Sequence, residues 1–384
     1  MTYQEIFNQY KEPSISGRYI CLKHIEPGLL TLQKEGKVSV LGTSVLGKPI
    51  YVYKNGVGAI KIMMWSQMHG NESTTTKALF DFFNFLDSEQ GENLKEAFAF
   101  CVIPMLNPDG AEKWTRNNAN DVDLNRDSQN LTQPESRILR QCIEDFQPDY
   151  CYNLHDQRTI FGVEGTKKPA TVSFLAPSYD VDKSINETRK KAMQLIIAMN
   201  EALQEYIPDQ VSRFDDGFNI NCIGDTVQNL GIPTVLIEAG HYPNDYQREQ
   251  TRKYIFIALI SGLIWVKSKS RKDLELLKYY DISNNKKMFY DFIYKKVRFN
   301  YDNKEIITNF AVQLLERLDK EGIFFEAYIT EVGDLEGFFG HFEYDAQGDK
   351  YSDSEEKKPT IGNKANFFLG KIAFQNGFPL TRQG

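Results

Sequence analysis

The 384-residue chain has no block of basic residues and no apolar run close to the ~20 residues that a membrane-spanning helix needs. Lysine and arginine total 45 against 52 aspartates and glutamates, a formal charge of −7. A basic footprint for nucleic acid or for an anionic membrane is therefore missing, and neither is expected as a partner. The longest apolar stretch, Tyr254–Val266, fits a buried helix better than a membrane span. The five cysteines are odd in number and form no CxxC pair, which speaks against a disulfide framework. Cys101 and Cys151 sit in apolar, strand-like runs and read as buried free thiols. The opening residues MTYQEIFNQYKEP lack a basic start followed by an apolar run, so no signal peptide is predicted. A cytoplasmic location is the expectation that follows.

What is present is a globular composition, 41% hydrophobic and 13% aromatic, in a chain long enough for two domains. Residues 1–35 read as a loose helical lead-in broken at Pro13 and Pro27. Val38–Val45 and Pro49–Lys54 flank Leu46-Gly47-Lys48 and predict a hairpin. Ala59–Trp65 is an apolar run of strand length. From Ser73 the period changes, with Ala78, Leu79, Phe82, Phe83 and Leu86 on one helical face. Further strands are predicted at Ala97–Pro104, Tyr150–Leu154, Ser173–Ala176 and Thr234–Ile237, and further helices at Ile138–Phe146, Ile185–Tyr206 and Asp245–Val266. Leu106–Asp127 and Asp215–Gln228 read as loops.

This alternation predicts an α/β domain over residues 1–270 with a mainly parallel, twisted mixed sheet flanked by helices. The charged run Lys267–Lys272 reads as a linker. Residues 275–384 are rich in Phe and Tyr and predict a small β-rich appended domain, with strands at Ile323–Thr330, Gly337–Tyr344 and Asn366–Phe374. Asp345–Lys358 within it reads as polar and mobile. Tyr279-Tyr280 and Phe338-Phe339 read as core.

In sheets of this kind ligands bind at the carboxyl ends of strands. His69, Asn107, His155 and Glu238 each follow an apolar strand within a few positions. His69 and Glu72 offer two metal-ligand types within one turn, and His155 ends a buried strand. A catalytic zinc takes about three protein ligands and keeps one open position. Of the other histidines, His241 reads as a rim or turn residue, and His24 and His341 as structural or exposed. Asp156 reads as a turn former, and Glu201 and Glu249 as surface residues on helices.

The series His69-x-x-Glu72, Asp123-x-Asn125-Arg126, His155 and late-strand Glu238 resembles the zinc carboxypeptidase family of M14-type metallopeptidases. Asn107-Pro108-Asp109-Gly110 and the run from Arg116 to Arg126 are most similar to its bacterial and cytosolic branches, including murein-peptide amidases. The resemblance covers about residues 35–268. It implies one Zn2+ per chain held by His69, Glu72 and His155. It implies a zinc-bound water deprotonated by Glu238 as general base, with Arg116 stabilising the oxyanion. Asn125 and Arg126 would clamp a substrate carboxylate, and Asp123 would orient His69. Asp225, near the usual selectivity position, would favour a basic or amine-bearing substrate. The pancreatic-type members carry a mobile tyrosine before the last catalytic strand. Residues 211–233 contain none, and Phe218 falls near its place. The activity implied is hydrolysis of an amide beside a free carboxylate in a peptide or peptide-like substrate. An N-acyl amino acid deacylase of the aspartoacylase or succinylglutamate desuccinylase kind, and a non-catalytic binding module, are the alternatives.

Overall fold

The computed structural model describes residues 1–268, 275–301, 304–354 and 358–380. Most of the expected linker, from residue 269 on, lies outside those residues. Two compact units are formed. One comprises Met1–Arg158 and Val163–Asn285, the other Thr159–Gly162 and the chain from Lys286 onward.

The first unit begins with helices α1 (Tyr3–Tyr10) and α2 (Leu22–Lys34). Pro27 lies inside α2 and does not end it. The hairpin β1 (Val38–Thr43) and β2 (Pro49–Asn55) follows. Then come β3 (Ile60–Ser66), α3 (Thr74–Leu86), α4 (Glu92–Ala97) and β4 (Phe98–Ile103). The stretch expected to be one long loop contains α5 (Pro108–Lys113), with Asn107 accepting from the Gly110 amide at its start. After α6 (Pro134–Phe146) the chain enters β5 (Tyr150–Asp156), a strand two residues longer than the apolar run predicted. The three-residue β6 (Phe161–Val163), then β7 (Val172–Leu175), α7 (Glu187–Gln204) and β8 (Val211–Arg213) come next. The second expected loop contains α8 (Ile223–Asn229). β9 (Thr234–Ala239), α9 (Glu249–Lys267) and α10 (Leu277–Asp281) complete the series, while β6 and the short β10 (Asn285–Lys287) each have two of their three residues in the second unit.

Among the described residues the main sheet has eight strands in the order β1-β2-β4-β3-β5-β9-β7-β8. The central pairs β4/β3, β3/β5 and β5/β9 are parallel. Side chains alternate between its faces. Ile62, Met64, Tyr152, Leu154, Val235 and Ile237 join the core that includes α3, α7 and α9. Met63, Trp65, Cys101, Ile103 and Cys151 join a second core with α6 and α8. By the same alternation His155 and Glu238 face the α6/α8 side, and Asp156 faces the α3/α9 side. The phenylalanines of α3 lie in the first core, as expected.

The second unit holds β11 (Phe289–Tyr301), β12 (Lys304–Leu318), β13 (Ile323–Gly333) and β14 (Phe339–Asp345) in one sheet. β15 (Tyr351–Ser352), β16 (Phe367–Leu369), β17 (Ile372–Gln375) and β18 (Phe378–Pro379) form another. Tyr294, Phe310, Tyr351, Phe367 and Phe374 make its aromatic core. Tyr351 is fully buried, so the segment Asp345–Lys358 is anchored there, while residues 355–357 lie outside the description. Phe338 and Tyr280 are exposed, not core, whereas Tyr279 is fully buried in the first unit. His341 Nε2 donates to the Thr159 carbonyl at 2.8 Å, and the ring stacks on Phe289.

One charged pair inside the first unit is wholly buried. Arg252 on α9 grips Asp81 on α3 through Nε at 2.7 Å and Nη2 at 2.5 Å, both side chains being fully enclosed. The same guanidinium donates to the carbonyls of Ile15 and Glu12. Burial raises the Asp81 pKa despite the pull of Arg252. Desolvation therefore outweighs attraction, and the pair positions the helices more than it stabilises them. Arg252→Met should cost about 3–5 kcal/mol, because it strands a buried carboxylate. The double variant Asp81→Leu/Arg252→Met should recover most of that loss. Urea unfolding midpoints test both; a double variant no better than the single one would refute the assignment.

Candidate metal centre

β3 ends at Ser66, and Gln67 takes a left-handed φ of 51° to turn the chain toward the site. The turn is then held on all sides. Gln67 Nε2 donates to the carbonyls of Ile20 and Gly70, both at 2.8 Å. Thr76 donates to Gln67 Oε1, and Asn107 Nδ2 donates to the Met68 carbonyl. Gly70 has no room for a side chain: a Cβ there would lie 2.0 Å from the carbonyl carbon of Gly110. The turn delivers His69 and Glu72, both buried.

His155 comes from β5, whose parallel pairing sets Leu154 beside Ser66 at the end of β3. His69 Nδ1 lies 2.8 Å from Glu72 Oε1, and His155 Nδ1 lies 2.8 Å from Glu72 Oε2. The two Nδ1 atoms are 3.1 Å apart. All three groups offer ligand atoms within 4.8 Å of one another. A tetrahedral zinc with bonds of about 2.0–2.1 Å sets neighbouring donors about 3.3 Å apart, so these residues fit one zinc. The chemistry of the set agrees: two imidazole nitrogens and one carboxylate converge, a donor set that zinc takes.

The surroundings supply what such ligands need. Asp123 Oδ1 lies 3.0 Å from His69 Nε2 and holds the ring with Nδ1 inward. Arg116 donates from Nε to Asp123 Oδ2 at 3.1 Å and from Nη1 to Glu72 Oε1 at 3.3 Å, and its side chain is 46% exposed. Burial disfavours charge on His69, but Glu72 and Asp123 outweigh it and raise its pKa. Burial wins at His155 and lowers its pKa despite Glu72. Burial opposes ionisation of Glu72, yet His69 and His155 hold it well below the usual carboxylate range. Asp123 is likewise lowered, by His69 and Arg116 against its burial.

Glu238 is the register partner of His155 in the parallel β5/β9 pair, so the two side chains stand side by side on one face. Glu238 is half-buried. Burial and the nearby charges of Glu72 and Asp156 push its pKa well above the ordinary value, with Arg116 opposing.

The remaining expected residues lie around α8. Asn125 Oδ1 accepts from the Ile223 amide at 3.0 Å, joining the turn Leu124–Arg126 to the start of α8. Arg126 is exposed and donates to the Asn125 carbonyl at 2.7 Å. Asp225, in the first turn of α8, is buried and accepts from the Asn219 amide. Burial raises its pKa to about 6, with the Asn219 amide and Arg126 offsetting part of the rise. Phe218 is half-buried in the preceding segment. His241 is buried against the Tyr246 ring, and His24 accepts from the Cys21 amide at the start of α2.

Two acids differ from expectation. Asp156 is no turn former. Its Oδ2 accepts from the Thr74 amide at 3.1 Å, from the Thr74 hydroxyl at 2.6 Å and from Arg18 at 2.5 Å. Its own amide donates to Glu72 Oε2 at 3.1 Å. Glu249 is not a plain surface residue but pairs with the fully buried Lys77 at 2.7 Å. Thr74 and Arg18 escaped the sequence reading, as did the buried role of Asp156. An acid closing a fully buried strand is itself a signal, since its charge needs a partner.

Comparison with known proteins gives one concordant answer. The zinc carboxypeptidase family model matches residues 33–153. Carboxypeptidase SOL1 of Arabidopsis thaliana is 27% identical over 167 residues, covering 38% of this chain and 34% of that protein. The chain thus spans about a third of that relative's length. The fold is shared with the metallo-carboxypeptidase of Burkholderia cenocepacia, at TM-score 0.52 and 18% identity, over 63% of this chain and 68% of that one. It is shared also with carboxypeptidase A of Helicoverpa armigera, at TM-score 0.53 and 15% identity, over 70% and 80%. The matched stretch and the shared fold are those of zinc carboxypeptidases, over about a third of the chain for the family model and about two thirds for the fold.

Proposed function

We propose that the first unit is a zinc-dependent metallocarboxypeptidase, hydrolysing an amide bond next to a free carboxylate. The observation that carries this reading is the convergence of His69 Nδ1, His155 Nδ1 and the Glu72 carboxylate within 4.8 Å, with Glu238 on the adjacent strand. Zinc, when bound there, supplies Lewis acidity toward the scissile carbonyl and toward water. Glu238 takes a proton at its carboxylate and returns it to the departing amine. Its position beside His155 on the adjacent strand is what suits it to this proton transfer.

Arg116 presents an exposed guanidinium already neutralised by Asp123 and Glu72. It offers N–H donors where an oxyanion would form. Arg126 stands exposed next to Asn125, where a planar guanidinium suits a terminal carboxylate. Asp225, which interacts electrostatically with Arg126, adds an acidic group on this side that favours a basic or amine-bearing residue.

Three outcomes are expected. Glu238→Gln should keep zinc and lose roughly 10²-fold or more in turnover, the usual scale of general acid–base work. Turnover within a few-fold of wild type would exclude the role. His155→Ala should instead lose zinc, measured as metal per chain after dialysis. In a substrate panel, peptides with a free C-terminus, murein-type peptides among them, should be cleaved and their C-terminal amides spared. Hydrolysis of N-acyl amino acids alone would replace the peptidase reading with a deacylase.

A further inference from the structure

We propose that the segment Gly17–Ile20 is part of the metal centre, and that Arg18 is a positioning residue for Glu72. The proposal rests on reading His69, Glu72 and His155 as a zinc site. The segment precedes residue 33, where the match to the family model begins.

The segment lies across the ligand turn like a strap. The Arg18 carbonyl accepts from the Ser73 hydroxyl at 2.6 Å, and the Ile20 carbonyl accepts from Gln67 Nε2 at 2.8 Å. The Arg18 side chain is buried and reaches under the turn. Nη1 donates to Asp156 Oδ2 at 2.5 Å and lies 3.3 Å from the Thr74 hydroxyl, while Nη2 donates to the Asn71 carbonyl at 3.3 Å. The guanidinium also lies over the Trp114 ring, 5.2 Å from its centre, two residues before Arg116. On the far side the strap is tied to the start of α9. The Gly17 and Arg18 amides donate to Glu249 and Gln247, and Lys77 donates to the Gly17 carbonyl.

The physical consequence runs through Asp156. Its carboxylate is 1% exposed, and its Oδ1 has no hydrogen-bond partner. Without Arg18 a buried carboxylate would keep only the two donors of Thr74, which is a costly state. Relaxing it moves the residue next to His155 and withdraws the Asp156 amide from Glu72 Oε2. Loss of the bond to the Asn71 carbonyl frees the turn next to Glu72 at the same time. Arg18 therefore holds ligands from two separate elements, the turn after β3 and the end of β5, in one geometry.

The test is the zinc affinity of the full chain, measured by competition with a chromophoric chelator. Arg18→Ala should weaken zinc binding about 10–100-fold, the range found when groups behind metal ligands are removed. Arg18→Lys should recover part of it, since one ammonium can reach Asp156 but cannot also span to Asn71. Ser73→Ala, which cuts the strap's main-chain tie and leaves every charge in place, should weaken binding severalfold and guards against an Arg18 variant that fails to fold. Leu263→Ala, deep in the α9 core, should lower the unfolding midpoint and leave zinc affinity unchanged. Equal zinc affinity in wild type, Arg18→Ala and Ser73→Ala overturns the strap. An equal loss in Leu263→Ala overturns it too, because general loosening would then explain the effect. A wild-type chain that takes up no zinc overturns the reading of the site itself.

Discussion

One carboxylate organises the site. Glu72 is held between two imidazoles, with 2.8 Å to each, and takes a further hydrogen bond from the Asp156 amide. Its two oxygens therefore face imidazoles from different elements. Those elements are fixed by the parallel pairing of β3 and β5, two strands buried along most of their length. The distance between His69 and His155 is thus set by a hydrophobic sheet, not by the polar turn alone. A ligand set anchored to strand ends inherits the rigidity of the core beneath it. The polar turn adds the fine adjustment through Gln67, Thr76 and Asn107.

Much of this was legible in the chain. The switch from an apolar run to a helical stripe after Ser73 located the junction of β3 and α3 because the two periods differ sharply. Strand-end histidines and a strand-end glutamate marked one edge of a parallel sheet. Asp123 was marked only by the resemblance, and its carboxylate lies 3.0 Å from His69 Nε2. Other features left no local trace. α5 and α8 span only six and seven residues, too short to display a repeating apolar stripe. Pro27 looked like a breaker, yet α2 continues through it. Arg18 and Asp156 lie 138 positions apart, and an ion pair of that separation has no signature in either neighbourhood.

The second unit shows a different limit. β11 and β12 are its longest strands, and neither was foreseen. In β11 the register shifts between Tyr294 and Val297, and Lys296 adopts a φ of 52°. A bulge of that kind reverses which residues face inward, so the alternation that betrays a strand is interrupted midway. Asn366–Phe374 was read as one strand and is two, β16 and β17, separated at Gly370, whose φ of 57° suits a tight turn.

The two faces of β5 carry different duties at adjacent positions. His155 turns to the α6/α8 layer beside Glu238, and Asp156 turns to the α3/α9 layer, where Thr74 and Arg18 receive it. Parity therefore stores the arrangement. Inserting or deleting one residue within Tyr150–Leu154 would exchange the two sides. The imidazole would enter the layer of Arg18, and the carboxylate would stand beside Glu238, acid against acid. Point substitutions along this strand trim the core by degrees, but a change of length there has no small version. Descendants of this chain must keep the count of residues in β5.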